Sequence, residues 1–317
     1  MKFAQLVVLA AVAFPTGGFA EWPDKPIHVI VPFAAGSGTD AVARTVLEPV
    51  ARSLKQTLLI ENKPGAGGTL GTAQVARSAP DGYTLLVQSA GHVANPAIYG
   101  NLDYDTARDF AGVTPLASLP NVLVVSPAKG YKSLRDLVEA AKSRPGALAY
   151  ASSHNDSATR VNAEIFRHSA GFEARHVPFK AMPEAIEEVA RGRIDFCFAP
   201  LASALPLIKQ GRLQALAVGT TRRWPLLRDV PTTAEAGYRN PDYGFWVALL
   251  MPATTPRAIV EKLNAVVVTA LSSDDLRKKL AELGAEPMPM KPAAFDAFLR
   301  SEIARVGSMA REAGIKP

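Results

Sequence analysis

Apolar runs of strand length alternate along the chain with longer segments of helical period. That alternation commits the sequence to an α/β fold in which crossover helices flank a largely parallel sheet. Residues 27–33 form an apolar run closed by a glycine turn, and 40–54 follow with Ala41, Val42, Val46, Val50 and Leu54 near helical spacing. Strands are next expected at 58–61 and 83–88, with a helix at 69–78 between them. Further strands fall at 122–126, 148–152, 194–198 and 213–219, separated by helices at 133–143, 157–169 and 183–191. After a last buried strand at 245–251 the tail is nearly all helix, over 256–271, 274–283 and 292–313. Such a tail needs a sheet to pack on. The 317 residues are therefore expected to build a first lobe from 21–124 plus 242–317 and a second from 125–241. Each lobe is a mostly parallel sheet flanked by helices, and the ligand crevice lies between lobes at the carboxyl ends of the strands.

Composition narrows the chemistry. Hydrophobic residues at 48% with 20% charged describe a chain that buries a core, which excludes a disordered or collagen-like one. The lone Cys197 excludes an intramolecular disulfide framework and a paired-thiol metal site. The five histidines include no His-x-x-x-His spacing, so neither a metal nor a cofactor is expected. Lysine and arginine outnumber the acids 35 to 29, a formal +6, but they are scattered singly, which argues against a nucleic-acid partner. Residues 1–20 combine Lys2, an apolar stretch from Leu6 to Phe14 and the small residues Gly18 and Ala20, the pattern of a signal peptide cleaved before Glu21. An exported, soluble mature protein is the expectation.

Three loops could carry chemistry. Gly36-Ser37-Gly38-Thr39-Asp40-Ala41 lies between a strand and a helix and matches G-x-G-x-x-A, with Glu61 placed to grip a ribose, so a dinucleotide-dependent oxidoreductase is one reading. The same geometry makes a general anion site, because glycines let backbone N–H groups converge at the positive end of a helix. A bare turn capped by Thr39 or Asp40 is the third reading. Pro64-Gly65-Ala66-Gly67-Gly68-Thr69 repeats the glycine pattern, and Ser152-Ser153-His154-Asn155-Asp156-Ser157 puts hydroxyls at a helix start in the second lobe. No Gly-x-Ser-x-Gly elbow supports a hydrolase, and Cys197 lies in an apolar strand as a small core residue.

Several ordered stretches resemble one family. Val31-Pro32-Phe33-Ala34-Ala35-Gly36-Ser37-Gly38-Thr39-Asp40, Glu61-Asn62-Lys63-Pro64-Gly65-Ala66-Gly67-Gly68, Ala79-Pro80-Asp81-Gly82-Tyr83-Thr84-Leu85 and Asp229-Val230-Pro231-Thr232 resemble the Bug family. Its members are the periplasmic solute-binding components of tripartite tricarboxylate transporters, and the likeness covers residues 22–315. The resemblance implies a monomeric, non-enzymatic periplasmic protein whose two lobes close on one small carboxylate, with one large and one small membrane permease subunit as partners. An extracytoplasmic sensor is the alternative use of such a module. Carried over by position, the ligand-binding candidates are Phe33, Ser37, Gly38, Thr39, Asp40, Ala66, Gly67, Ser153 and Ser157, acting largely through main-chain amides; Asp195 is supporting structure. Two of the family's glycines are here His154 and Asp156, and its histidine is Arg160, so His154 and Arg160 join the candidates. Asp156 and Arg160 stand four apart on a helix, either as an N-cap and ion pair or as readers of a ligand's further polar groups.

Overall fold

The structure, a computed structural model, describes residues 22–153, 157–238, 244–312 and 314. In chain order, β1 (Ile27–Val31) leads into α1 (Gly38–Leu54), β2 (Leu58–Asn62) into α2 (Thr69–Ala76) and β3 (Thr84–Ser89) into α3 (Gly91–Ile98). Then come β4 (Phe110–Leu119), β5 (Asn121–Val125), α4 (Leu134–Ser143), β6 (Ala149–Ser153), α5 (Ala158–Ala170), β7 (Arg175–Phe179) and α6 (Met182–Ala190). The remainder is β8 (Phe196–Pro200), α7 (Leu201–Lys209), β9 (Gln214–Val218), β10 (Phe245–Pro252), α8 (Arg257–Leu271), α9 (Asp274–Glu282), β11 (Glu286–Pro287) and α10 (Pro292–Glu312).

Two mixed sheets result, ordered β11-β4-β10-β3-β1-β2 and β7-β6-β8-β5-β9. β1, β2 and β3 run parallel, and β10 enters reversed between β3 and β4. In the second sheet β6, β7 and β8 run parallel, and β5 is the reversed strand, between β8 and β9. The apolar run of β10 makes sense in the middle of a sheet: all eight residues are buried, with α1 and α8 against one face and α3 and α10 against the other. The second sheet is covered likewise, by α6 and α7 on one side and α4 and α5 on the other.

The sheet changes at Pro120. β4 ends at Leu119 in the first sheet, and Asn121 already pairs with Pro200 in the second. The break expected between 124 and 125 therefore falls inside β5, and the crossing comes earlier, at a proline that has no N–H to give to a ladder. The expected return between 241 and 242 lies outside the described residues. Strand β4 escapes the sequence pattern because Gly112, Thr114 and Pro115 interrupt it, and the ladder to β10 absorbs them with two register shifts. β7 is a half-exposed edge strand, and α3 and α7 each carry an internal proline, Pro96 and Pro206, that masks the helical period. The lobes also meet where the Trp224 indole donates to the Gly284 carbonyl at 2.9 Å and Arg222 pairs with Glu286 at 2.8 Å.

One carboxylate braces the first glycine loop. Ser37, rather than Thr39 or Asp40, caps α1, its hydroxyl accepting the Asp40 N–H at 3.3 Å. The Asp40 side chain accepts the Gly36 N–H at 3.0 Å, the Arg44 guanidinium at 3.0 Å and the Asn62 amide at 2.9 Å, while that same amide donates to the Phe33 carbonyl at 3.0 Å. Burial disfavours the Asp40 charge, but the hydrogen bonds from Arg44, Asn62 and Gly36 outweigh it and hold the carboxyl below its ordinary value. A depressed folded pKa contributes stability that is complete above the unfolded value of about 3.9 and is lost as pH falls through the folded one. Asp40→Asn should therefore lower stability by about 1–2 kcal/mol at pH 7. Urea unfolding should show that gap narrowing below about pH 4, as the wild-type carboxyl takes up its proton.

Candidate ligand-binding site

The chain turns from strand to helix repeatedly at one end of the two sheets, and those turns line a partly open cavity with about 50 Å³ of space for the centres of water-sized spheres. Ser37, Gly38 and Thr39 line it from the start of α1, Phe33 from the end of β1, and Gly67 from the 3-10 turn Ala66–Gly68 ahead of α2. Ser89 and Gly91 bring the start of α3, where the Gly91 N–H donates to the Ser89 hydroxyl at 3.3 Å. From the second sheet come Ser153 at the end of β6, Ser157 and Thr159 at the start of α5, Met182 at the start of α6, and Pro200 and Ser203 at the start of α7. Phe245, the first residue of β10, completes the wall.

Most of the lining residues are serine, threonine or glycine, set among the apolar Phe33, Met182, Pro200 and Phe245, and among the described residues none of the lining is a charged side chain. Its electrostatics come from the backbone. Five helices, α1, α3, α5, α6 and α7, present their first turns to the cavity, and each N-terminus carries roughly half a positive charge. In α1 the first intrahelical bond runs from the Ala41 N–H to the Ser37 carbonyl, so the amides of Gly38 and Thr39 precede the ladder and can turn to an anion. Two left-handed residues shape the second loop, Ala66 at φ 45° and Gly67 at φ 61°. A Cβ at Gly68, with φ 91°, would come within 3.0 Å of the Gln88 amide and 3.3 Å of the Phe33 ring.

Of the positions carried over from the family resemblance, Phe33, Ser37, Gly38, Thr39, Gly67, Ser153 and Ser157 line one cavity. Asp40, Ala66 and Arg160 are not among the lining residues. The Asp40 carboxylate is spent on Gly36, Arg44 and Asn62, and its amide on Ser37. Arg160, half-buried on α5, lies beside Tyr150 and Glu164, whose hydroxyl and carboxylate are themselves joined by a hydrogen bond. Burial, then the Glu164 contact, raises the Tyr150 hydroxyl pKa. His154 and Asp156 lie outside the described residues. Glu61 pairs with Lys63 at 3.0 Å on the surface, away from the cavity. Asp195 accepts from Lys129 and from the Ala149 N–H, both at 2.8 Å, and so ties β6 to its surroundings.

Gly38 has a reason the sequence does not display. A Cβ there would meet the Pro200 Cβ at 3.1 Å and the Ser203 hydroxyl at 3.4 Å, so this glycine lets the first-lobe loop approach α7 across the crevice. Ser89, Gly91, Thr159, Met182, Pro200, Ser203 and Phe245 also escape a reading of glycine loops. The common signal is positional: Ser89-Ala90-Gly91 and Pro200-Leu201 each close a strand and open a helix, like the loops that were recognised.

A family model described as the tripartite tricarboxylate transporter family receptor matches residues 42–315. Protein BugT of Bordetella pertussis is 31% identical, over 100% of this chain and 99% of its own. An R. palustris protein solved with adipate is 34% identical with a TM-score of 0.90, covering 94% of this chain and 100% of that one. MatC of Rhodopseudomonas palustris, solved with bound malate, is 32% identical with a TM-score of 0.85, covering 91% and 99%. Matched over nearly its whole length and folded as these relatives are, the chain belongs to the tripartite tricarboxylate transporter receptor family, that of the Bug proteins.

Proposed function

We propose that this protein is the periplasmic receptor of a tripartite tricarboxylate-type transporter and that its lobes close on a small organic carboxylate. The observation that carries the reading is the convergence of five helix N-termini, from both sheets, on one cavity whose described walls hold no charged side chain. Such a site suits an anion small enough to be ringed by amides and hydroxyls. Phe33, Ser37, Gly38, Thr39 and Gly67 act from the first lobe and Ser153 and Ser157 from the second, largely through backbone amides. The first lobe runs to Leu119 and resumes with β10, and the second begins at Asn121.

The protein acts by binding rather than by catalysis. Cys197 is buried, and burial pushes its thiol up to about 12, far from a nucleophile's range. Ser152 and His176 stand 2.7 Å apart, but Ser152 is fully buried in β6 and neither residue lines the cavity. The receptor works as a monomer and delivers its ligand to one large and one small permease subunit. Residues 1–20 serve as the export signal, in keeping with the periplasmic home of the family.

A thermal-shift screen of mono-, di- and tricarboxylates should find members that raise the melting temperature by mass action, and a panel with no effect would overturn the reading. For any carboxylate found, Gly38→Val should weaken binding at least about tenfold, roughly 1.4 kcal/mol, by crowding both the ligand and Pro200, whereas Ser37→Ala should cost less. Calorimetry giving equal affinity for Gly38→Val and wild type would remove this loop from the site. Arg160→Gln should lower stability by about 1 kcal/mol through the loss of its charge beside Glu164, with affinity changed less than about threefold. Intact-mass measurement of periplasmic protein should give a chain beginning at Glu21.

A further inference from the structure

We infer that Gln88 is a positioning residue of the cavity: through Thr72 it locks the second glycine loop to the start of α3, so that Gly67, Ser89 and Gly91 are held as one unit. Its part in binding rests on the receptor reading above; the strut itself does not.

Gln88 is out of keeping with its strand. β3 runs Leu85-Leu86-Val87 through the core, and Gln88, which follows, is fully buried. Taking an amide out of water into such surroundings costs free energy unless partners meet it, so a strand that only had to pack would be better served by a hydrocarbon.

The partners lead to the cavity in one direction. The Ser89 N–H donates to the Gln88 Oε1 at 2.7 Å, and because a backbone N–H can only donate, this bond fixes which way the amide faces. The Gln88 Nε2 then donates to the Thr72 hydroxyl at 3.0 Å, and Thr72 turns its own proton to the Gly68 carbonyl at 2.7 Å. That last bond is the usual one from a helical threonine to the carbonyl four residues back; the bond from Gln88 is what extends it beyond α2. On the other side the Ser89 hydroxyl stands 3.4 Å from the same Gln88 oxygen and accepts the Gly91 N–H at 3.3 Å, longer links that carry the line into α3.

The two ends lie where the site needs a fixed backbone. Gly68 caps α2 at φ 91°, next to the cavity-lining Gly67 at φ 61°, and glycines in this left-handed region have no Cβ to restrict them. Their conformation depends on bonds from outside the loop. Gly68 is wedged between the Gln88 amide and the ring of Phe33, itself part of the cavity wall. At the far end Ser89 and Gly91 also line the cavity. Backbone donors already held in place lose less freedom when a ligand arrives.

Amide hydrogen exchange, read residue by residue by NMR on the ligand-free mature chain, tests the strut. Thr72→Val keeps the branched shape but removes the hydroxyl and strands the Gln88 nitrogen. It should speed exchange of the Ser89 and Gly91 amides at least about threefold, with the β8 amides of the other lobe unchanged. Thr72→Ser, which keeps the hydroxyl, should leave all of them near wild type, and Gln88→Leu should speed exchange at Gly68. Calorimetry with malate, adipate and citrate follows binding: for each that binds the wild type, Thr72→Val should raise Kd at least about fivefold and Thr72→Ser less than about twofold. Exchange at Ser89 and Gly91 that matches the wild type in Thr72→Val, or that rises equally in β8, would overturn the strut. Faster exchange with Kd unchanged would overturn its part in binding. Because the exchange measurement needs no carboxylate, it decides the strut independently of the receptor reading.

Discussion

The architecture depends on the pairing of Leu119 with Phe245. Leu119 is the last residue of β4 before the chain leaves the first sheet, and Phe245 is the first residue of β10 after it returns. Their pairing sets the outgoing and incoming strands side by side at the mouth of the crevice. β10 then runs as the buried centre of the first sheet, between β3 and β4. The first lobe cannot complete its core until the chain has traversed the second. Folding must therefore make long-range antiparallel contacts late, after paying a large loop-closure entropy, which is the topology expected to fold slowly. The second sheet has no such dependence, since β5 through β9 are contiguous in sequence.

The positive potential of the described cavity walls follows from how the strands end. Each strand that stops at the crevice hands over to a helix whose N-terminus points back into it, so the positive potential is built from backbone already fixed by the fold. Such donors need no side-chain ordering on binding. A buried acid is tolerated close to these helix ends. Asp40 spends its charge locally, with Gly36, Arg44 and Asn62 saturating its oxygens, and in doing so it joins the first glycine loop to the end of β2. The second glycine loop starts from that same strand, so one carboxylate coordinates the placement of both.

Much of this was legible in the sequence. The apolar run before Gly36, the paired glycine loops and the all-apolar stretch from Phe245 pointed to the strands and turns that now surround the cavity, and the helical tail called for a sheet to pack on, which α8 and α10 find in the first sheet. What stayed hidden has a physical cause in each case. β4 carries Gly112 and Pro115, which a strand tolerates only because its neighbour shifts register to match. α7 carries Pro206 inside its second turn, which masks the helix, and with it the cavity-lining Pro200 and Ser203. The role of Gly38 depends on a partner more than a hundred and fifty residues away, which no local pattern reports. Asp40 was legible as part of the loop, but whether its carboxylate faced a ligand or the backbone depended on where Asn62 and Arg44 would lie.

The buried thiol of Cys197 gives this receptor a practical property. A sole cysteine, fully enclosed and with its pKa pushed up to about 12, stays almost wholly in the unreactive thiol form at neutral pH. Electrophilic dyes should therefore ignore the native chain. A second cysteine introduced at an exposed rim of the crevice would be the one handle available for labelling, and a fluorophore placed there would convert lobe closure into an optical signal with no background from the protein itself.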